Sequence, residues 1–435
     1  MIRNRIAIVT LLTGLNFLNY IDRFIVAAVL PRIKEAFTLS DFEGGLLATV
    51  FLLGYFVTAP IFGTLGDRMP RKWLIALGVL LWSAATIASG LATGLPTLVA
   101  ARIAVGIGEA SFATLAPTII DDISPPDKKG KTLAIFFLAI PVGSALGFLT
   151  GGQMQELWGW RAAFFVAGGP GIVLAVVCLW IAEPPRQLAK AKIAMAEAVR
   201  TLIRLPLYRR AVLGYCAHTA AIGAFSHWGP TFLVRRFAGS FATDPTTEAG
   251  ARQALAGANF WFGTILVVAG AIGTIAGGRM ADRALRGLPA VPADASHVHV
   301  ANRLAANAQL RVCATGVAIA FPFAAAALFA PSAAGFFALV GIAEIGLFMS
   351  AAPINAIMMR TAPPYLRANA MALGIFAIHL FGDLWSPSLL GLLLDHLVLV
   401  AAMMALPAGF AIAAVVWWPR RREAAPEAAP DAAKT

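Results

Sequence analysis

Four residues near the front of the chain could do chemistry by type and spacing. Asp22 and Arg23 are adjacent inside the apolar run 6–30, and Arg102 and Glu109 stand seven residues apart inside 96–120. Seven residues complete nearly two helical turns, so Arg102 and Glu109 share a face, whereas Asp22 and Arg23 point about 100° apart and cannot both serve one neighbour. Counted from the outer ends of their runs, Asp22 and Arg102 lie about 12 Å and about 9 Å deep, and Glu109 about 20 Å. A charge in mid-membrane costs several kcal/mol, with estimates from about 2.5 to over 10, so these groups must be paired, neutral or wet. Apolar surroundings favour the protonated acid and a nearby arginine favours the anion, so a small rearrangement moves a proton. Asp22, Arg23, Arg102 and Glu109 are therefore candidates for proton coupling, with Arg102 expected to alternate between Asp22 and Glu109. The other reading is a static network that ties the first span to the fourth.

A second group lies later in the chain. His379 and Asp383 are an i,i+4 pair, neighbours on one helix face. Glu344 falls within 333–358, and His218, His227 and Trp228 within 211–234. These six are candidates to line a substrate cavity, and each could instead pack between helices.

The elements that must position them are set by composition. The chain is 435 residues long, 59% hydrophobic and 13% charged, against about 25% charged in a soluble protein. Twelve apolar stretches of span length can be marked, at 6–30, 44–66, 73–92, 96–120, 132–152, 162–182, 211–234, 258–280, 311–330, 333–358, 368–391 and 397–418. Most of the 34 lysines and arginines fall in the two termini and the links after even-numbered stretches. Only Arg32, Lys34, Arg161, Arg235, Arg236 and Arg252 fall in the opposite links. By the positive-inside rule both termini are cytoplasmic, and the net charge of +12 is an orientation signal, not a nucleic-acid footprint. The N-terminal run continues past Tyr20 without a small-residue cleavage site and reads as a retained span. The fold class expected is an all-α integral membrane protein of twelve transmembrane helices.

The chain also repeats itself. "GTLGDRMPRK" after the second stretch answers "GGRMADRALR" after the eighth, giving Gly63, Asp67 and Arg68 against Gly278, Asp282 and Arg283. "GIGEA" answers "GIAEI", giving Glu109 against Glu344. Two six-helix pseudo-symmetric bundles follow, 1–183 and 211–418, joined by a cytoplasmic linker at 184–210 that could form an interfacial amphipathic helix, with a low-complexity tail at 419–435. "IPVGSALGFLTGG" sets Gly143, Gly147 and Gly151 on one face, suited to close helix packing or to bending. Cys178, Cys216 and Cys313 read as packing residues. No metal site, cofactor site, nucleotide-binding loop or catalytic constellation is read from the sequence, so an enzyme is disfavoured.

"GTLGDRMPRK" resembles the cytoplasmic loop signature of the major facilitator superfamily, and "RIAVGIGEA" resembles its fourth-helix motif. Within that superfamily "NYIDRF", "IPVGSALG" and especially "HLFGDLWSPSLLG" are similar to the spinster family of lysolipid and sphingolipid transporters. The resemblance covers residues 16–391, with Pro70 standing where the loop signature has Gly. It implies a secondary transporter, proton-coupled, moving an amphipathic lipid-like substrate by alternating access and working as a monomer in a bacterial inner membrane, with membrane lipids around it. The alternatives are a proton-coupled organic anion carrier of the same superfamily, and a transport-inactive receptor or scaffold. The conformational latch expected on the cytoplasmic side uses Gly63, Asp67 and Arg68 against the eleventh helix, and Asp282 and Arg283 against the fifth. Arg71 is the candidate to cover Asp121 and Asp122, acids at an unfavourable helix end.

Overall fold

A computed structural model describes residues 2–125, 129–183, 195–288 and 298–419. The first half comprises α1 (Arg5–Phe37), α2 (Asp41–Arg68), α3 (Arg71–Gly90), α4 (Leu95–Ile123), α5 (Lys129–Phe137), α6 (Ala139–Trp158) and α7 (Trp160–Cys178). After α8 (Met195–Arg204) come α9 (Pro206–Phe237), α10 (Glu248–Arg286), α11 (Val298–Ala327), α12 (Ala333–Phe348) and α13 (Ala351–Thr361). The chain ends with α14 (Arg367–Ile378), a π turn at His379–Asp383, α15 (Ser386–His396), α16 (Leu399–Met403) and α17 (Ala405–Trp417). No strand is present among the described residues; an isolated bridge pairs Ile2 with Ile181.

Local chemistry places the helix ends. Asn4 caps α1, Thr247 caps α10 and Ser332 caps α12, while Ser40 and Glu43 form a reciprocal capping box on α2. Gly159 turns the chain between α6 and α7 at φ 83, a conformation that favours glycine. Ten helical stretches among the described residues are long and apolar enough to cross a membrane. The two longest remaining helices, α1 and α9, have 33 and 32 residues and carry the polar groups of interest. Outward-facing Leu77, Val173, Ile272 and Val415 are exposed, as lipid contact requires.

Four expected stretches are subdivided. The fifth divides into α5 and α6 at Leu138, the tenth into α12 and α13, the eleventh widens into the π turn, and the twelfth divides into α16 and α17 at Met404. Helix α9 begins at Pro206, five residues ahead of the boundary read from hydropathy, because proline suits the first turn of a helix. The described part of the linker contains α8, which buries Ala198 and Leu202; residues 184–194 and the tail 420–435 lie outside the described residues.

Packing repeats between the halves. Helix α2 lies along α4 and α3 along α4 and α7, as α10 lies along α12 and α11 along α12 and α17. Between the halves, α6 meets α10, α2 meets α15 and α1 meets α9. Hydrogen bonds across this seam gather towards the face that carries the α1–α2 and α9–α10 connections. Asn259 donates to Ala28 O at 2.9 Å, Thr49 to Leu384 O at 2.7 Å and Gln155 to Arg252 O at 2.7 Å.

Candidate functional site

Helices α1 and α4 bring all four charged candidates of the first half together. Arg23 Nη2 donates to Glu109 Oε2 at 2.9 Å; the Glu109 side chain is 0% exposed and that of Arg23 20%. Asp22 and Arg102 are both buried, and Arg102 Nη1 stands 3.9 Å from Asp22 Oδ1, too far for a hydrogen bond. Asp22 Oδ2 instead accepts from the Thr86 hydroxyl on α3. The Phe51 ring on α2 lies between the two cations, its centroid 5.1 Å from Arg23 Cζ and 4.8 Å from Arg102 Cζ. Tyr20 and Tyr55 flank Arg23 at 5.1 and 5.6 Å.

With Arg102 beside Asp22, Glu109 is not left in apolar surroundings, because Arg23 holds it. Arg23 points away from Asp22 around α1, and its long stem reaches the lower level of Glu109. The cluster is also short of hydrogen bonds. Asp22 Oδ1, Glu109 Oε1, Arg23 Nε, and Arg102 Nε and Nη1 are buried without a hydrogen-bond partner.

In the second half the π turn brings His379 and Asp383 together. His379 Nδ1 lies 2.9 Å from each Asp383 carboxylate oxygen, and Leu384 N donates to His379 O at 3.0 Å, closing the wider loop. A Cβ added at Gly223 of α9 would come within 2.5 Å of Asp383 Cβ, so α9 presses directly on this turn. Phe56 of the first half packs against both Phe376 and His379, ring centroids 5.7 and 5.6 Å apart. Tyr55, next to Phe56 in the chain, flanks Arg23, so this stretch of α2 touches polar groups of both halves. The polar groups of the two halves therefore share one region, with Arg23, His379 and Asp383 partly exposed.

The remaining cavity candidates lie elsewhere. His218 is buried among the rings of Tyr215, Phe410 and Trp417. His227 pairs with Gly44 O at 3.0 Å and Trp228 donates to Pro387 O at 2.9 Å, so both seal the seam between α9, α2 and α15. Glu344 is buried on α12, its Oε2 without a hydrogen-bond partner.

At the opposite face, Arg71 bonds to Asp122 at 2.7 Å, Glu183 at 3.0 Å and Thr118 at 3.0 Å. Glu183, which sequence reasoning missed, also accepts from the backbone N–H groups of Arg71 and Lys72, capping α3. Its only sequence signal is an acid at the end of the sixth span opposite a basic turn. The Asp67 side chain lies outside the described residues, and Arg68 is exposed. Asp282 and Arg283 are exposed, and their side chains make no hydrogen bond or ion pair among the described residues. A Cβ at Gly63 would make only an ordinary contact with Thr114, at 3.8 Å. At Gly143, Gly147 and Gly151 a Cβ would fall within 2.8 Å or less of α1 atoms, so that stripe is the contact line between α6 and α1. No group of three or more metal-ligating side chains occurs among the described residues.

A model of the Major Facilitator Superfamily matches residues 12–382. Protein spinster homolog 1 of Homo sapiens is 34% identical over 404 residues, 90% of this chain and 73% of that protein. The chain belongs to the spinster family of the major facilitator superfamily. Protein spinster of Drosophila melanogaster is 32% identical over 391 residues, 88% of this chain and 61% of the fly protein. The fold is similar to the crystal structure of a bacterial homolog of the human lysosomal transporter Spinster in an inward-facing, unoccupied conformation, with TM-score 0.78 and 23% identity over 95% of this chain and 96% of that one. A D-xylose-proton symporter superposes at TM-score 0.72 with 17% identity, covering 95% and 98% of the two chains. These two likenesses speak to fold alone. As a spinster-family member the chain is a multi-pass membrane protein of a transporter superfamily.

Proposed function

We propose that this spinster-family chain is a secondary active transporter that moves an amphipathic, lipid-like molecule by alternating access and couples that movement to protons. In this reading twelve helices span the membrane, both termini are cytoplasmic, residues 1–183 and 211–418 are the two moving bundles, and the protein works as a monomer in a bacterial inner membrane. The observation that carries it is the pair of crossed contacts on α1 and α4. Two fully buried carboxylates each face an arginine and each keep one oxygen without a hydrogen bond. Such acids can take a proton in one arrangement and release it in the other.

The wall beside them supports an amphipathic substrate. Tyr55, Phe56 and Phe376 supply apolar surface next to the polar ends at Arg23 and His379. Proteoliposomes with an imposed pH gradient should accumulate a lysolipid in preference to a small dicarboxylate. The reverse ranking would favour an organic anion carrier, which the partly exposed Arg23 cation also suits.

A further inference from the structure

Far from the central cluster, on the face joined by the α1–α2 connection, a cavity of about 390 Å³ lies between the halves. Arg32, Gln155, Trp158 and Arg161 line it from the first half, and Glu248 and Arg252 from the second. Three guanidiniums converge there, and their hydrogen bonds are unequally used. Arg252 pairs with Glu248 at 2.6 Å, and Arg32 bonds to Glu35 at 2.6 Å and to Glu248 O at 3.0 Å. Arg161 makes one bond, to Ala92 O at 3.2 Å, and rests on the Trp160 ring at 4.3 Å. Most of its five donors are thus open to an acceptor.

Three further features agree. Helix α7 begins at this wall with Gly159 as its N-cap and no side-chain cap, so its first amide groups present the positive end of the helix dipole. The buried Gln155 amide is fixed by donating to Gly152 O and Arg252 O, which leaves Oε1 an acceptor without a donor. Leu157 and Trp158 beside it are 60% and 68% exposed, apolar surface of the kind found at membrane interfaces.

We propose that this cavity binds a hydroxyl-bearing phosphate ester, the chemistry of a glycerophosphate headgroup, drawn from the surrounding lipid. The phosphate meets Arg161 and the α7 N-terminus, the hydroxyl donates to Gln155 Oε1, and the acyl chains cover Leu157 and Trp158. Because the walls come from both halves, the cavity is complete only while they are closed on this face. A headgroup bound there favours the closed arrangement by its differential affinity for it. This site is independent of which substrate the central region carries.

The test uses the full chain in detergent with a reporter, Thr49→Cys, in the seam, titrated with short-chain phosphatidylglycerol or with soluble glycerol 3-phosphate. At lipid equal to twice its dissociation constant, labelling of the reporter should slow about threefold and the melting temperature should rise. The double variant Arg161→Ala/Arg252→Ala should lose both responses, and Arg161→Lys/Arg252→Lys should keep part of them. If the alanine pair does not fold, Arg161→Gln alone should weaken both responses. Equal responses in parent and variants would overturn the site. An equal response to glycerol 3-phosphate would overturn the lipid source.

Discussion

Arg23 and Glu109 hold each other at 2.9 Å across α1 and α4, while Asp22, the next residue on α1, faces Arg102 at 3.9 Å. One side of α1 is therefore held by a hydrogen-bonded ion pair and the other by a looser charge contact, with Phe51 against both cations. A shift of α1 relative to α4 must alter both contacts together. Any such movement changes how well each carboxylate is compensated, which is the physical requirement for linking a proton to a helix displacement.

Replacing Glu109 with glutamine keeps shape and removes the anion. Arg23 then loses its ionic partner inside the bundle. Uptake driven by a pH gradient should fall to about one tenth or less, because the buried ion pair no longer responds to protonation. Substrate exchange without a gradient should persist. Proteoliposomes measured in both modes check this, and full gradient-driven uptake by Glu109→Gln would return the residue to a static role.

Asp22→Asn separates the second contact from the first. Asparagine can still accept from Thr86, so packing is kept while Arg102 loses its counter-charge. Transport should become less sensitive to pH than in the parent at similar folded yield. An unchanged pH profile would exclude Asp22 as a proton carrier.

Depth along each span was legible in the sequence because the helical rise is fixed, and it placed Asp22 level with Arg102. Depth could not assign Arg23 to Glu109, since a long arginine stem reaches more than one level. Thr86 was invisible, because a threonine in a span is ordinary until a carboxylate lies beside it. Glu183 was missed for a similar reason: its partner Arg71 is 112 residues away, joined only by tertiary packing. The repeat and the superfamily motifs, being local and duplicated, read directly from the sequence. The π turn did not, since one extra residue within a helical loop leaves hydropathy unchanged.

Arg71 joins α3 to the end of α4 and to Glu183 after α7. Removing its side chain strips the Asp122 and Glu183 carboxylates of their shared cation, while the backbone N–H groups of residues 71 and 72 still donate to Glu183. Arg71→Ala should destabilise the first half by about 3 kcal/mol, in the range for breaking a largely buried pair. Arg71→Lys should recover only part, because lysine lacks the planar fork that serves three partners. Chemical denaturation followed by tryptophan fluorescence measures this; a variant within 0.5 kcal/mol of the parent, about the scatter of surface substitutions, would show that the cluster is not needed for stability.

The seam between α2 and α15 depends on two glycines. A Cβ at Gly45 would lie 2.3 Å from Pro387 O, and one at Gly391 would lie 2.3 Å from Asp41 O. Both obstacles are backbone atoms, so the clash is not relieved by a rotamer change. Gly45→Val should push α15 away and strain the contacts of this face together. These include Thr49 to Leu384 O at 2.7 Å, Arg235 to Asp41 at 2.8 Å, and the Asp395 carboxylate that accepts from Asp41 N and Phe42 N at 2.7 and 2.8 Å. Since 1.4 kcal/mol changes a population about tenfold, a clash of a few kcal/mol should make the closed arrangement a minor one. A cysteine at Thr49 should then be labelled about tenfold faster than in the parent from this face. Gly278→Val is the control, because a Cβ there meets nothing within 4 Å. Equal labelling in the Gly45 variant and the control would mean that close approach of α2 and α15 does not hold this face shut.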